Sequence, residues 1–260
     1  IKAKFSAANT AFKNYKDYTF NDPTRKFKTE EVNVFEGKVN ESGIAEIHNK
    51  LAIKNNAPGM LNVQFLVRAF ENGGDFSMDA FTKKYAPYDA FVGLSSPKGN
   101  AYGSYFTDEN QTFDVVVVDA HGKPIKRNNL EVKVYKVEWR WWWNSSYDDL
   151  ASYVSSSYHR PYLTAKVNTD ANGKGSFKIK VPDDDRGRYL IRVVDPVSGH
   201  ATGRTAYFYK NWWSNSASGD KEAAKMLVFS TDKDKYNVGD TAKLTFPSGS
   251  EGRALVSIEN

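Results

Sequence analysis

Four histidines, His48, His121, His159 and His200, are the first residues to test for chemistry, because imidazole is both the commonest metal ligand and the side chain that titrates near neutrality. No two of them stand at a ligand spacing, and no His-Glu-x-x-His occurs. His121 and His200 each adjoin a glycine and read as solvated turn residues. Asp183-Asp184-Asp185 offers three carboxylates to a cation, but a calcium loop alternates its carboxylates and closes with a glutamate. The run reads as an acidic turn ahead of Arg186-Gly187, and Asp170-Ala171-Asn172-Gly173 reads as hairpin chemistry. Cysteine is absent, which removes disulfides, thiolate zinc sites and thiol nucleophiles. No Gly-x-Ser-x-Gly, Walker A or dinucleotide fingerprint occurs. Paired carboxylates of the glycosidase kind stay open, because such partners stand far apart in a chain. No catalytic residue, metal ligand or cofactor is assigned, and the chain is expected not to be an enzyme.

The aromatic residues are more distinctive. All six tryptophans fall in two places, Glu138-Trp139-Arg140-Trp141-Trp142-Trp143 and Trp212-Trp213. Trp139, Trp141 and Trp143 share one strand parity, while Arg140 and Trp142 face the other way. In one reading they fill a core and cover an interdomain contact. In the other they form a flat platform for sugar rings or a partner hot spot. Trp139, Arg140, Trp141, Trp142, Trp143, Trp212 and Trp213 are therefore the candidate partner or interdomain contacts. Stacking of Arg140 on Trp142 would be worth ~0.5–1 kcal/mol if exposed.

The elements that must position these residues are strands. Leu61, Val63, Phe65 and Val67 alternate with Asn62, Gln64, Leu66 and Arg68, and Phe177, Ile179 and Val181 with Lys178 and Lys180, so in each run one parity is apolar and forms one face. Turn clusters separate the runs: Asn40-Glu41-Ser42-Gly43, Asn55 to Gly59, His121-Gly122-Lys123-Pro124 and Asp170 to Gly173. Short strands at this spacing indicate all-β, immunoglobulin-like sandwiches in tandem. A short helix is expected after Ser146, running to Val154. The apolar parity of Leu130, Val132 and Val134 passes to Tyr135, Val137 and Trp139, which predicts a bulge near Tyr135 or a strand that changes sheets.

Across 260 residues, 36 Lys+Arg stand against 31 Asp+Glu, a net charge of +5 with no block of five like charges. No nucleic-acid partner is expected from that pattern. No run approaches the ~20 apolar residues of a membrane-spanning helix. Ile1 to Phe5 does not read as a signal peptide; a removed leader or a fragment of a longer chain is the expectation.

An internal repeat sets the domain size. Lys38 to Ile47 matches Lys166 to Phe177, with Gly43 and Gly173 separated by 130 residues (43 to 173). Ile1 to Phe5 matches Leu130 to Val134, and Gly59 to Phe65 parallels Arg186 to Arg192. Two copies of one sandwich unit are expected: 1–94, cut at its N-terminal end, and 95–211, complete and carrying a Trp-rich insertion. A linker at 212–222 leads to 223–260, the first strands of a third unit. The apolar Val115–Val118 run is expected to be a central strand.

Asp232-Lys233-Asp234-Lys235-Tyr236-Asn237-Val238-Gly239-Asp240-Thr241, followed by Gly252-Arg253-Ala254-Leu255-Val256, resembles the start of a macroglobulin domain. It is similar to the bait-region domain of bacterial alpha-2-macroglobulin-like proteins. Gly187 to Val193, Ser198-Gly199-His200-Ala201-Thr202-Gly203 and the Glu138–Trp143 run resemble the preceding domain of the large Bacteroidetes homologues. Members of that family trap proteases: a bait is cut, the molecule rearranges, and a Cys–Gln thioester often captures the enzyme. Without cysteine, the resemblance implies scaffold. The implied partners are target proteases, through the full-length protein, and neighbouring macroglobulin domains. The implied location is extracytoplasmic, in the periplasm or cell envelope, with a lipid anchor ahead of Ile1. The alternative is a cell-surface glycan- or protein-binding module using the tryptophans; a third is an accessory region of a surface enzyme.

Overall fold

The structure, a computed structural model, describes residues 1–97 apart from 50, 52, 54, 55 and 72, then 104–137 and 161–210, together with 230, 231, 241, 244 and 245. In chain order the strands are β1 (Lys2–Ala7), β2 (Tyr18–Thr19), β3 (Glu30–Asn33), β4 (Leu61–Phe70), β5 (Phe76–Tyr85), β6 (Phe91–Ser95), β7 (Ser104–Phe106), β8 (Gln111–Val118), β9 (Leu130–Val137), β10 (Leu163–Val167), β11 (Lys174–Ile179), β12 (Gly187–Val194), β13 (Ala201–Tyr209), β14 (Ser230–Thr231) and β15 (Leu244–Thr245). Among the described residues the only helix is a 3-10 turn at Asp183–Asp185. The all-β class follows from the alternation.

Two sheets, ordered β10-β9-β12-β13-β7 and β11-β8-β6-β2, enclose a core of residues such as Leu130, Val132, Val115, Val117, Tyr189 and Phe208. The Val115–Val118 run is central: β8 lies between β11 and β6. Val115 and Val117 enter that core, while Val116 and Val118 enter a second one with Phe12, Phe20 and Phe91. A strand covered on both faces needs apolar residues at both parities, which is why the run is unbroken.

A third sheet, β3-β1-β4-β5, has the same strand order as β10-β9-β12-β13. The repeat is thus a repeat of sheet plan: β1 answers to β9 and β4 to β12. Only one sheet is described in the first copy. Between β3 and β4 no strand is assigned among the described residues. Leu51, Ile53 and Ala57 from that segment pack on Phe5, Leu61 and Val63.

Two expectations meet a different arrangement. The boundary placed at 94/95 falls inside β6, which pairs with β8 from Phe91↔Val118 to Ser95↔Asp114 and with β2 at Thr19↔Leu94. The second sandwich therefore takes strands from residues before 95. The bulge near Tyr135 is absent: β9 pairs with β12 in unbroken register from Arg188↔Val137 to Val194↔Glu131. Tyr135, Val137 and Leu190 are buried on the sheet's outer face, so the strand is apolar on both sides and needs no extra residue. The helix expected after Ser146 lies outside the described residues.

Four hairpin turns share one chemistry. At Asn40, Glu71, Asp119 and Asp170 the backbone N–H bonds the carbonyl four residues on, and a glycine three residues on donates back. Those glycines, Gly43, Gly74, Gly122 and Gly173, have positive φ, which only glycine adopts freely. Asn40, Asp119 and Asp170 add side-chain acceptors for two further N–H groups each.

Residues 1–210 form one compact unit and 211–260 another. In the latter, β14 and β15 pair antiparallel.

Candidate functional site

The densest polar cluster described sits where residues 19–25 meet β12 and β13. Asp22 precedes Pro23, which fixes the chain direction, and its carboxylate turns back to accept from Thr24 N–H at 3.0 Å and Thr24 Oγ1 at 2.7 Å. Its other oxygen receives Arg192 Nε at 3.0 Å and Nη2 at 2.7 Å, and Arg25 Nε at 3.2 Å. Asp22 is fully buried at its side chain. Burial pushes its carboxyl up, but Arg192 and Thr24 outweigh that and hold it below the ordinary carboxylate range. Arg25 continues the chain of contacts, donating to Tyr88 Oη at 2.9 Å and to Gly199 O at 2.9 Å. Thr202 Oγ1 donates to Thr19 O at 2.7 Å, and Gly203 N–H donates to Asn21 O at 3.2 Å.

His200 stands beside this cluster, fully buried between the rings of Tyr88 and Phe91, at centroid distances of 5.1 and 4.9 Å. The reading of His200 as a solvated turn residue is therefore corrected. Its carbonyl closes the Asp195–Gly199 turn by accepting from Asp195 N–H, and β13 begins at the next residue, which turns the ring inward. Its Nδ1 accepts from Val92 N–H at 3.0 Å. β2 ends at Thr19, opposite Leu94, so two residues along β6 the imidazole takes the N–H that a longer β2 would have taken. Burial, helped by the Arg25 charge, pushes the His200 pKa down to about 3. The ring is neutral at physiological pH, with its proton on Nε2, which has no partner in hydrogen-bond geometry. The Phe20 carbonyl opposes the fall.

This arrangement holds; it does not react. The Asp22 oxygens are saturated by donors, His200 Nδ1 is occupied, and neither group reaches solvent. A companion pair reinforces the same end of the sandwich: Arg127 Nε donates to buried Asp195 Oδ2 at 3.0 Å, which also accepts from Ser198 Oγ at 2.8 Å.

The residues singled out from sequence are placed as follows. Trp139, Arg140, Trp141, Trp142, Trp143, Trp212 and Trp213 lie outside the described residues, as does His159. His48 is exposed near Glu46, and His121 is exposed in the turn that Asp119 organises. Asp183 pairs with Lys210 at 3.1 Å and accepts from Thr107 Oγ1 at 3.1 Å, and Asp185 pairs with Lys136 at 2.8 Å. Two of the three carboxylates of the acidic turn pair with the protein's own cations. Among the described residues no three His, Cys, Asp or Glu side chains gather as metal ligands. The Asp22–Arg192 contact escaped sequence reasoning because its halves are 170 residues apart. The Asp-Pro-Thr turn was the one local signal.

Residues 93–212 match the family described as bacterial macroglobulin domain 6. The curated alpha-2-macroglobulin of Escherichia coli K12 is 25% identical over 153 residues, covering 58% of this chain. The chain spans 9% of that relative's length. Among solved structures, trypsin-activated E. coli alpha-2-macroglobulin is 17% identical with a TM-score of 0.49, covering 94% of this chain and 16% of that one. Salmonella alpha-2-macroglobulin reacted with methylamine is 15% identical with a TM-score of 0.45, covering 95% of this chain and 16% of that one. The domain match and the curated relative together point to a bacterial alpha-2-macroglobulin-like protein.

Proposed function

We propose that the chain is a non-catalytic scaffold segment of a bacterial protease-trapping inhibitor, acting outside the cytoplasm, in the periplasm or cell envelope. The observation that carries this is the match of residues 93–212 to bacterial macroglobulin domain 6. The character of the buried cluster supports it: every described feature of that junction serves to hold elements together. Target proteases and adjoining macroglobulin domains are the partners of the intact parent protein, and this segment's part is to keep its strands in register while the parent changes shape.

Two experiments test the reading. The 260-residue chain, incubated with a panel of serine and metalloproteases, should leave their activity unchanged and give no denaturation-resistant adduct. A reproducible covalent band would overturn the scaffold role. The intact parent, cut by a protease, should shift its mobility on a native gel. A parent that is cut without any change of shape would overturn the trap.

A further inference from the structure

The β3-β1-β4-β5 sheet and the second sandwich are spliced rather than joined by one linker. The chain passes between them three times, from β1 to β2, from β2 to β3 and from β5 to β6, whereas independent bodies usually meet at a linker that few contacts cross. Residues 8–25 form a strap across the junction. On the side of the β3-β1-β4-β5 sheet, Ala8 N–H donates to Met60 O at 3.1 Å and Asp22 N–H to Pro58 O at 2.8 Å, and Met60 N–H donates to Thr10 Oγ1 at 2.7 Å. Asn21 ties the strap to itself: its Oδ1 accepts from Thr10 N–H at 2.8 Å and its Nδ2 donates to Ala8 O at 3.0 Å. On the side of the sandwich, Asp22 holds Arg192, Thr19 O accepts from Thr202 and Asn21 O accepts from Gly203. Phe12 and Phe20 are buried there with Val116 and Val118.

Tyr88 pins the two sides together. It packs against the core of Phe5, Leu61 and Val63 and also against the core of Phe12, Phe20 and Phe91; among the described residues no other side chain packs on both. Its Oη donates to Ala57 O at 2.6 Å and accepts from Arg25 Nη1 at 2.9 Å, and Arg25 donates onward to Gly199 O at 2.9 Å. Ala57 lies just ahead of β4 and Gly199 just ahead of β13, so one hydroxyl and one guanidinium tie a strand of each body. Gly59 lets the strap approach: a Cβ there would collide with Thr10 Oγ1. A hinge needs a few residues free to absorb a change of backbone angle, and here each crossing is bonded to both bodies or packed between them. We infer that the strap and Tyr88 make the β3-β1-β4-β5 sheet and the second sandwich one rigid lever, so that bending of the parent protein during its rearrangement falls outside residues 1–210. The lever stands on these contacts; its use in a rearrangement rests on the protease-trap reading proposed above.

Amide hydrogen exchange tests both steps, because backbone N–H groups donate the strap's bonds. In the 260-residue chain, the amides of Ala8, Thr10, Asp22 and Met60 should be protected to the same degree as that of Val117, which bonds Gly173 O inside the sandwich, since parts of one cooperative unit open together. Tyr88→Phe removes the hydroxyl and keeps the ring, and Gly59→Ala wedges the strap away from residues 57–60. Each should speed exchange at Asp22 and Met60 more than at Val117. Strap amides less protected than Val117 in the unaltered chain, or equal loss of protection at all these amides in both variants, would overturn the lever. The comparison within the unaltered chain decides the matter even where a variant fails to fold. In the intact parent, the same amides should keep their protection after a protease cuts it and its mobility on a native gel shifts. Loss of protection at Asp22 and Met60 in that shifted form would overturn the lever. A parent cut without any shift would overturn the trap instead, and the exchange of the 260-residue chain would still decide the lever.

Discussion

Replacing His200 by asparagine should flatten the pH dependence of stability between about pH 8 and pH 5 while leaving stability near pH 8 only modestly lower. Asparagine keeps an acceptor where Nδ1 receives Val92 N–H and cannot take up a proton. Burial holds the folded pKa of His200 at about 3, against 6.5 for the free side chain. Between those values the unfolded chain binds a proton that the folded chain refuses, so stability rises with pH there. The contribution is fully present above 6.5 and is lost as pH falls toward 3. Working the binding polynomial with these two pKa values gives a loss of ~1.4 kcal/mol at about pH 5.5 and ~2 kcal/mol at about pH 5, relative to neutral pH. Carboxylates of ordinary pKa are still ionised in that window, so the difference between wild type and His200→Asn isolates this one group. Urea unfolding at a series of pH values reads the difference directly, and NMR of the ring should show no titration down to about pH 5. Parallel pH curves for the two proteins, or a ring that titrates near its free value, would refute the burial argument.

Two further outcomes follow from the geometry. Asp22→Ala leaves two arginines facing an empty buried position and should cost about 3–5 kcal/mol, whereas Asp22→Ala with Arg192→Met should cost clearly less than the sum of the single changes in a denaturant double-mutant cycle. Gly173→Ala should destabilise more than Gly43→Ala by calorimetry: both have positive φ, worth ~1–2 kcal/mol, but only at Gly173 would the new Cβ lie 2.5 Å from a backbone oxygen, that of Val117.

The legible part of this molecule was local. Alternation marked β4, β9 and β11, glycine after Asn or Asp marked the turns, and the Val115–Val118 run marked a strand covered on both faces. The repeat also survived as structure, because a shared strand order needs only similar turns and similar parity. What sequence hid was non-local. Nothing near Asp22 announces Arg192, and nothing near His200 announces Val92. A histidine beside glycine carries the same signal whether its turn faces solvent or the underside of another strand. Tyr135 misled for the same reason: a change of apolar parity means a bulge when one face is wet, and means nothing when both faces are buried. The candidate site was therefore reached from geometry, and the tryptophans that the sequence favoured lie outside the described residues.

The crossing of residues 8–25 and 91–94 into the second sandwich gives a final test, directed at where a folding unit begins. A fragment beginning at residue 95 lacks Phe91, Val92 and Leu94, each fully buried. Burying such a side chain contributes about 1.5–3 kcal/mol, so their loss removes several kcal/mol before any cavity is counted. The same cut removes Phe12 and Phe20, which cover the outer face of Val116 and Val118. It also strips Arg192 of Asp22 while leaving its charge against β12. A domain of this size commands only about 5–15 kcal/mol in all, so the combined loss consumes most or all of it. The 95–211 fragment should therefore show no cooperative thermal transition and should bind a hydrophobic dye, whereas residues 1–210 should unfold cooperatively. A 95–211 fragment that melts sharply within a few degrees of the longer chain would show that β6, β2 and the Asp22 clamp are dispensable, and the account of the junction given above would fall with them.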